Sequence, residues 1–233
     1  MLIPSLSVII PAYNEERTIG SVISKTISIL DALAFPYEIL VVDDGSTDKT
    51  RLIASRYKVT VLSNEKNYGK GYSLRRAIQN STGDIIVTLD SDGEHQPKEI
   101  PDLIEPLFNG TDIVTGSRFL ANRRQATTKL NAIGNFMFNS IIMALTGKIV
   151  TDSQTGFRAT KRNVLESLNL VSDGYEIETE ITVKGLRNGF VFEEKPITVE
   201  RRKYNFSKLK LLSDGTKILK TIIEASFSKI KHF

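Results

Sequence analysis

Short runs rich in Ile and Val alternate with stretches of helical periodicity through the first half of the chain. The strand-like runs fall near Leu6 to Ile10, Glu38 to Val42, Val59 to Leu62, Ile85 to Leu89 and Ile113 to Thr115. Between the first two, Ile19, Val22, Ile23, Ile27 and Leu30 share one helical face, and further helical stretches lie near Thr47 to Arg56, Gly71 to Ser81 and Pro97 to Phe108. This alternation predicts an α/β fold: a mostly parallel sheet covered by helices, with ligands at the carboxyl ends of the strands.

Beyond Ser117 the pattern changes. Thr127 to Leu145 carries Leu130, Ile133, Met137, Ile141 and Leu145 as a stripe, and Phe136, Phe138, Ile142 and Met143 widen it beyond the face a surface helix usually buries. One side of this helix is expected to meet something other than water, whether core, a second copy of the chain or a membrane surface. A helix near Glu178 to Asn188, a strand near Val191 to Val199, a basic segment from Arg201 to Lys210 and a last helix near Leu211 to Lys231 follow. In that last helix Leu212, Leu219, Ile222, Ile223, Phe227 and Ile230 alternate with lysines, the pattern of a basic amphipathic helix. The expected organisation is one domain over residues 1–200 and a basic extension over residues 201–233.

Charge sharpens this division. The extension holds nine Lys or Arg and two acids, net +7, so within a total of +4 the preceding residues carry net −3. A solvated helix face is one reading of the extension; attraction to anionic lipid or phosphate is the other. With no cysteine and two histidines, disulfides, thiolate sites and multi-histidine metal centres are excluded, so any metal must sit on oxygen. The absence of cysteine also fits a reducing compartment. The N-terminal MLIPSLSVIIPAYNEE lacks the basic region and cleavage site of a signal peptide and reads as a first strand. No run reaches the roughly 18 apolar residues of a membrane span.

Polar clusters punctuate the predicted strand ends: PAYNE (Pro11 to Glu15), VVDDGS (Val41 to Ser46), NYGKG (Asn67 to Gly71) and TLDSDGE (Thr88 to Glu94). Each alone has a turn or cap explanation. In the last, strand alternation is expected to send Asp90 and Asp92 to one side, where two hard oxygen ligands can share a divalent cation. No G-x-G-x-x-G follows the first strand and no P-loop motif occurs, so phosphate charge must be handled by other means.

Taken together, the clusters resemble the nucleotide-diphosphosugar pocket of family 2 glycosyltransferases with the GT-A, Rossmann-like fold, over essentially the whole chain. GSR (Gly116 to Arg118), DSQTGFR (Asp152 to Arg158), YEIETE (Tyr175 to Glu180), KPI (Lys195 to Ile197) and RRKYNFSKL (Arg201 to Leu209) resemble the branch that makes dolichyl- or polyprenyl-phosphate sugars. Among these, the chain is most similar to archaeal enzymes that charge dolichyl phosphate for protein N-glycosylation. The resemblance implies that Pro11, Tyr13 and Glu15 frame the nucleoside, that Asp44 or Asp43 bonds the base or ribose, and that Gly69 and Lys70 line the same pocket. Asp90 and Asp92 would hold Mg2+ or Mn2+ against the diphosphate. Glu94, where many dolichyl-phosphate mannose synthases carry Gln, is a third carboxylate for the metal. Arg118, Arg158, Arg201, Arg202 and Lys208 are candidates to grip the acceptor phosphate, and Asp152 and Gln154 to shape the sugar or acceptor pocket. Asp92, Arg118 and Arg202 are the candidate catalytic groups.

The chemistry follows from the residues. Negative charge grows on the leaving diphosphate, where a metal acts as Lewis acid, and a lipid phosphate is already anionic at neutral pH and needs no base. In-line attack inverts the anomeric centre. A basic loop over Arg201 to Lys208 could close on both phosphates and exclude water, or be merely solvated. Glu176, Glu178 and Glu180 either complement a helix N-terminus or act in the site, and they do not share one helix face. The expected partners are a nucleotide-sugar donor, dolichyl or polyprenyl phosphate, and the cytoplasmic face of a membrane, with a homo-oligomer as a further reading and no nucleic acid. The rival functions are a family 2 transferase acting on a sugar hydroxyl, which would need Glu178 or Asp152 as general base, and a non-catalytic nucleotide-sugar-binding scaffold.

Overall fold

A computed structural model describes residues 3–120, 129–200 and 211–228. In it β1 (Leu6–Ala12) pairs in parallel with β2 (Tyr37–Asp43) on one side and β4 (Ile85–Thr88) on the other. β3 (Thr60–Ser63) extends the sheet beyond β2, and β6 (Arg158–Lys161), β5 (Ile113–Ser117) and β7 (Phe192–Pro196) extend it beyond β4. The order is β3-β2-β1-β4-β6-β5-β7, and β6 alone runs antiparallel to its neighbours.

Every residue of β1 is buried because helices cover both faces of the sheet. Leu6, Val8, Ile10 and Ala12 enter one core together with α1 (Ile19–Ala32) and α4 (Ile100–Phe108). Ile9 enters the opposite core with α3 (Lys70–Asn80), α6 (Arg162–Ser167) and the start of α7 (Ile177–Arg187). The period of two along the strand thus feeds both layers, and each fully buried Ile or Leu contributes about 1.5–3 kcal/mol. A short helix, α2 (Thr50–Ala54), lies between β2 and β3. A third core joins α5 (Lys129–Thr146), the far end of α7 and α8 (Leu211–Phe227).

Three expectations change. The segment after Gly156 is a strand in the middle of the sheet; RATK shows no apolar alternation, so the pattern is silent there. β4 stops at Thr88, and Asp90 to Glu94 form a turn, so strand alternation does not govern where Asp90 and Asp92 point. On α5 the inward face is Phe138, Ile142 and Leu145 with two buried amides, Asn135 and Asn139, which both donate to the Thr151 carbonyl. Ile133, Phe136, Met137 and Met143 are exposed instead. Among the described residues no helix is long and apolar enough to cross a membrane.

Candidate active site

The parallel strands β3, β2, β1 and β4 deliver their carboxyl-terminal loops to one edge of the sheet. The strand order reverses between β1 and β4, the switch point at which open α/β sheets leave a crevice. The polar clusters are tied to one another there. Asn14, at φ 52, donates its N–H to Ser46 Oγ (2.9 Å), and its side-chain oxygen accepts from the Thr47 N–H (2.8 Å). The Glu15 N–H donates to Thr50 Oγ1 (2.7 Å), while its carboxylate accepts from the Thr18 hydroxyl (2.9 Å) at the start of α1. Pro11 remains inside β1 opposite Val42, and Tyr13 lies in the loop just beyond the strand.

Asp43 and Asp44 have different surroundings. The Asp44 carboxylate accepts from Asn64 Nδ2 (2.7 Å), the Tyr68 N–H (3.0 Å) and the Gly69 N–H (2.9 Å), so it organises the loop before α3. Gly69 makes that loop feasible: its φ is +107, and a Cβ would sit 2.3 Å from the Asp173 carbonyl oxygen. Asp43 instead lines an open cleft with Ser46, Asp48, Arg51 and Asn64, between α2 and the ends of β2 and β3.

At the end of β4 lies a part-buried charge cluster. Lys70 Nζ sits 2.5 Å from Asp90 Oδ1 and 2.6 Å from Glu178 Oε1, joining α3, the acidic turn and α7. Burial opposes the charge on Asp90, but Lys70, with help from His95 and Arg118, overrides it and holds the carboxyl at about 2. Burial likewise disfavours the ammonium of Lys70, and the two carboxylates reverse the effect and raise its pKa. For Glu178 burial prevails over Lys70 and Arg158 and raises the pKa; its Oε2 has no hydrogen-bond partner. Gly156 leaves the space for this cluster, because a Cβ there would lie 2.6 Å from Lys70 Nζ and 2.7 Å from both Asp90 oxygens. His95, stacked on Phe157, is buried with Nδ1 3.6 Å from Asp90 Oδ2 and has its pKa lowered by burial against the pull of Asp90 and Asp92.

Asp92 Oδ1 accepts from the Glu94 N–H (2.9 Å), closing the turn. Among the described residues no three His, Asp or Glu are grouped to hold a metal by themselves. The donor set still fits Mg2+ or Mn2+: hard carboxylate oxygens, one held strongly ionised, leave room for the several phosphate and water ligands such an ion keeps.

Next to this turn Arg118 and Asp152 form a two-pronged pair, with Nε donating to Oδ2 (2.6 Å) and Nη2 to Oδ1 (2.8 Å). Glu194 fixes the Asp152 backbone by accepting from the N–H groups of Thr151 (2.8 Å) and Asp152 (2.9 Å). Gln154 donates to Thr179 Oγ1 (2.7 Å). Arg158 departs from its expected role: it is 2% exposed, and its guanidinium donates to the carbonyls of Thr155 (2.6 Å) and Glu178 (3.1 Å). It braces α7 from within the sheet, out of reach of an acceptor phosphate. Glu176, Glu178 and Glu180 diverge, Glu180 pairing with Lys184 (2.6 Å) and accepting from the Ser172 N–H. Arg201, Arg202 and Lys208 lie outside the described residues. Immediately before them the Glu200 N–H donates to the Glu94 carbonyl (2.9 Å) and Val199 bridges His95, so the chain reaches the basic segment from beside the acidic turn.

Asn64, His95 and Gly156 are the site residues that sequence reasoning did not single out. The only trace of them is their nearness to the polar clusters and, for Gly156, its place inside DSQTGFR.

A sheet with this order, polar loops at one edge and an acidic turn at its switch point, is the GT-A architecture of glycosyltransferases. The structure superposes on glucosyl-3-phosphoglycerate synthase from Mycobacterium tuberculosis, crystallised with Mn2+, UDP and phosphoglyceric acid. The TM-score is 0.80 at 25% identity, over 98% of this chain and 80% of that one. Residues 7–168 match glycosyl transferase family 2, and the chain belongs to that family. It is 35% identical to a dolichol-phosphate mannosyltransferase of Pyrococcus furiosus, over 88% of this chain and 59% of the relative. It is 33% identical to the glycosyltransferase AglJ of Haloferax volcanii, over 83% and 62% respectively. The chain thus spans about three fifths of the length of these two relatives. An uncharacterized protein of Methanocaldococcus jannaschii is 35% identical, over 93% of this chain and 90% of its own.

Proposed function

We infer that this glycosyltransferase moves a sugar, with inversion, from a nucleoside-diphosphate donor to dolichyl or polyprenyl phosphate at the cytoplasmic face of a membrane, in the service of protein N-glycosylation. UDP-N-acetylglucosamine and UDP-glucose are the favoured donors, with GDP-mannose the alternative. One observation carries the choice of acceptor. A sugar hydroxyl would need a general base, yet of the two carboxylates that could serve, Asp152 is held by Arg118 through two hydrogen bonds, and Glu178 is 2% exposed behind Lys70, away from an incoming hydroxyl. A phosphate monoester, with a second pKa near about 6, needs none. The name of the Pyrococcus relative, a dolichol-phosphate mannosyltransferase, points the same way.

Asp43 is the nucleoside ligand in this reading, since it faces the open cleft while Asp44 is spent on the loop before α3. Asp90 and Asp92 would hold Mg2+ or Mn2+, which supplies Lewis-acid stabilisation of charge on the departing diphosphate. Arg118 stays charged beside Asp152 and adds positive potential at the same place, and Arg201, Arg202 and Lys208 are the cations for the lipid phosphate. The exposed apolar residues of α5 and α8, among them Phe136 at 72% and Phe227 at 75%, would rest on the membrane surface that presents the acceptor.

Purified protein given Mn2+, a short polyprenyl phosphate and each labelled donor in turn tests the reading. Label should pass to the lipid from one of the donors. Transfer solely to sugar hydroxyls would favour a polysaccharide-type acceptor, and binding without any transfer would make the chain a scaffold.

A further inference from the structure

Lys70 occupies a position at odds with a simple metal clasp. Its ammonium lies 2.5 Å from an oxygen of Asp90, the carboxylate expected to face the cation, and 2.6 Å from Glu178 on α7. Glu178 is 2% exposed and its second oxygen has no hydrogen-bond partner, so among the described residues this buried carboxylate has Lys70 as its ion-pair partner, with Arg158 adding positive charge nearby. The lysine is the first residue of α3 and is placed by the Gly69 loop, and Gly156 keeps the opposite wall free of a side chain. Counted formally, Asp90, Glu178 and Lys70 together carry −1.

The geometry points to Lys70 as an internal counter-ion that holds Asp90 in the free protein, so that a divalent cation binds well only when a nucleoside diphosphate arrives with it and gives the ammonium another anionic partner. The inference rests on the nucleotide-sugar reading of the site and adds to it an order of events. Two cations cannot sit at close range on one part-buried carboxylate without strong repulsion. The diphosphate relieves the conflict by bringing negative charge for both. By linkage, the factor by which nucleotide strengthens metal binding must equal the factor by which metal strengthens nucleotide binding, so either ligand can be followed.

Mn2+ binding to the intact protein, measured by electron paramagnetic resonance of the free ion with and without UDP or GDP, reads this directly. Wild type should bind Mn2+ weakly alone and at least about tenfold more tightly with the preferred nucleotide, within the usual range of coupling. Lys70→Met should bind Mn2+ alone at least about tenfold more tightly than wild type and show a reduced effect of nucleotide.

Because Lys70→Met leaves the buried Glu178 and the part-exposed Asp90 without their shared counter-ion, a second variant is needed that folds without it. Lys70→Met combined with Glu178→Gln leaves only Asp90 charged, the same formal −1 as wild type. It too should bind Mn2+ alone more tightly than wild type, which separates occupation of the seat from net charge. Unchanged Mn2+ affinity in the double variant overturns the role of Lys70 even where wild type binds Mn2+ with UDP or GDP as expected. Failure of wild type to bind Mn2+ with either nucleotide overturns the reading of the site and this inference together.

Discussion

Glu178 shows how one residue can separate two chemistries. If it were the base for a hydroxyl acceptor, Glu178→Gln would abolish transfer while leaving donor binding intact. If it positions Lys70, the amide still fills the site and still faces the ammonium. Turnover by the variant should then fall by less than about a hundredfold, below the roughly 10²–10⁴ that loss of a general base costs. Steady-state rates with saturating donor, alongside donor affinity, distinguish these outcomes. Arg158 teaches the opposite lesson. Its sequence setting suggested an anion ligand, yet this buried guanidinium spends its two Nη groups on carbonyls, and removing it would strip hydrogen bonds from α7 rather than from a substrate.

Among the elements, α5 and α8 hold most of what the apolar pattern left open. The sequence foretold an over-wide apolar band on α5, and the helix indeed divides it: Ile142 is buried, whereas Ile133, Phe136, Met137 and Met143 face outward. On α8, Ile218 and Ile222 are buried while Leu219, Ile223 and Phe227 are exposed. If these faces rest on lipid, Phe136→Glu should weaken binding to phosphatidylglycerol vesicles by about tenfold or more, the worth of burying one large apolar side chain. The melting temperature should hold, because the residue is exposed. Unchanged vesicle binding would take α5 out of the contact.

For the molecule as a whole, ligand linkage gives the broadest check. A nucleotide at a hundred times its Kd, in the presence of Mn2+, adds about 2.7 kcal/mol to the stability of the folded state, which for a chain of this size raises Tm by about 5–10 °C. At equal concentration UDP and GDP should differ clearly in the shift they produce, and a shift with neither would remove the donor assignment. The parallel half of the sheet and its loops were legible because β-α alternation and strand-end polar clusters are local signals. The pairing of Lys70 with Glu178, the engagement of Arg118 by Asp152 and the burial of His95 were not, since each joins segments far apart in the chain and leaves no periodicity. RATK has no apolar alternation for a related reason: in a strand enclosed on both edges a buried arginine is held by carbonyls of Thr155 and of the distant Glu178.

That antiparallel strand also affects how the protein comes into being. As the polypeptide leaves the ribosome, β4 has β1 along one flank and nothing along the other until Arg158 to Lys161 have followed and slotted in between β4 and β5. A bare strand flank is a template for adventitious pairing, and nascent chains that wait for a distant insert are vulnerable to it. The same late segment carries Gly156, whose carbonyl receives the Thr88 hydroxyl at 2.6 Å. The site, which also takes Glu178 and Glu194 from later in the chain, is therefore not assembled before that flank is sealed.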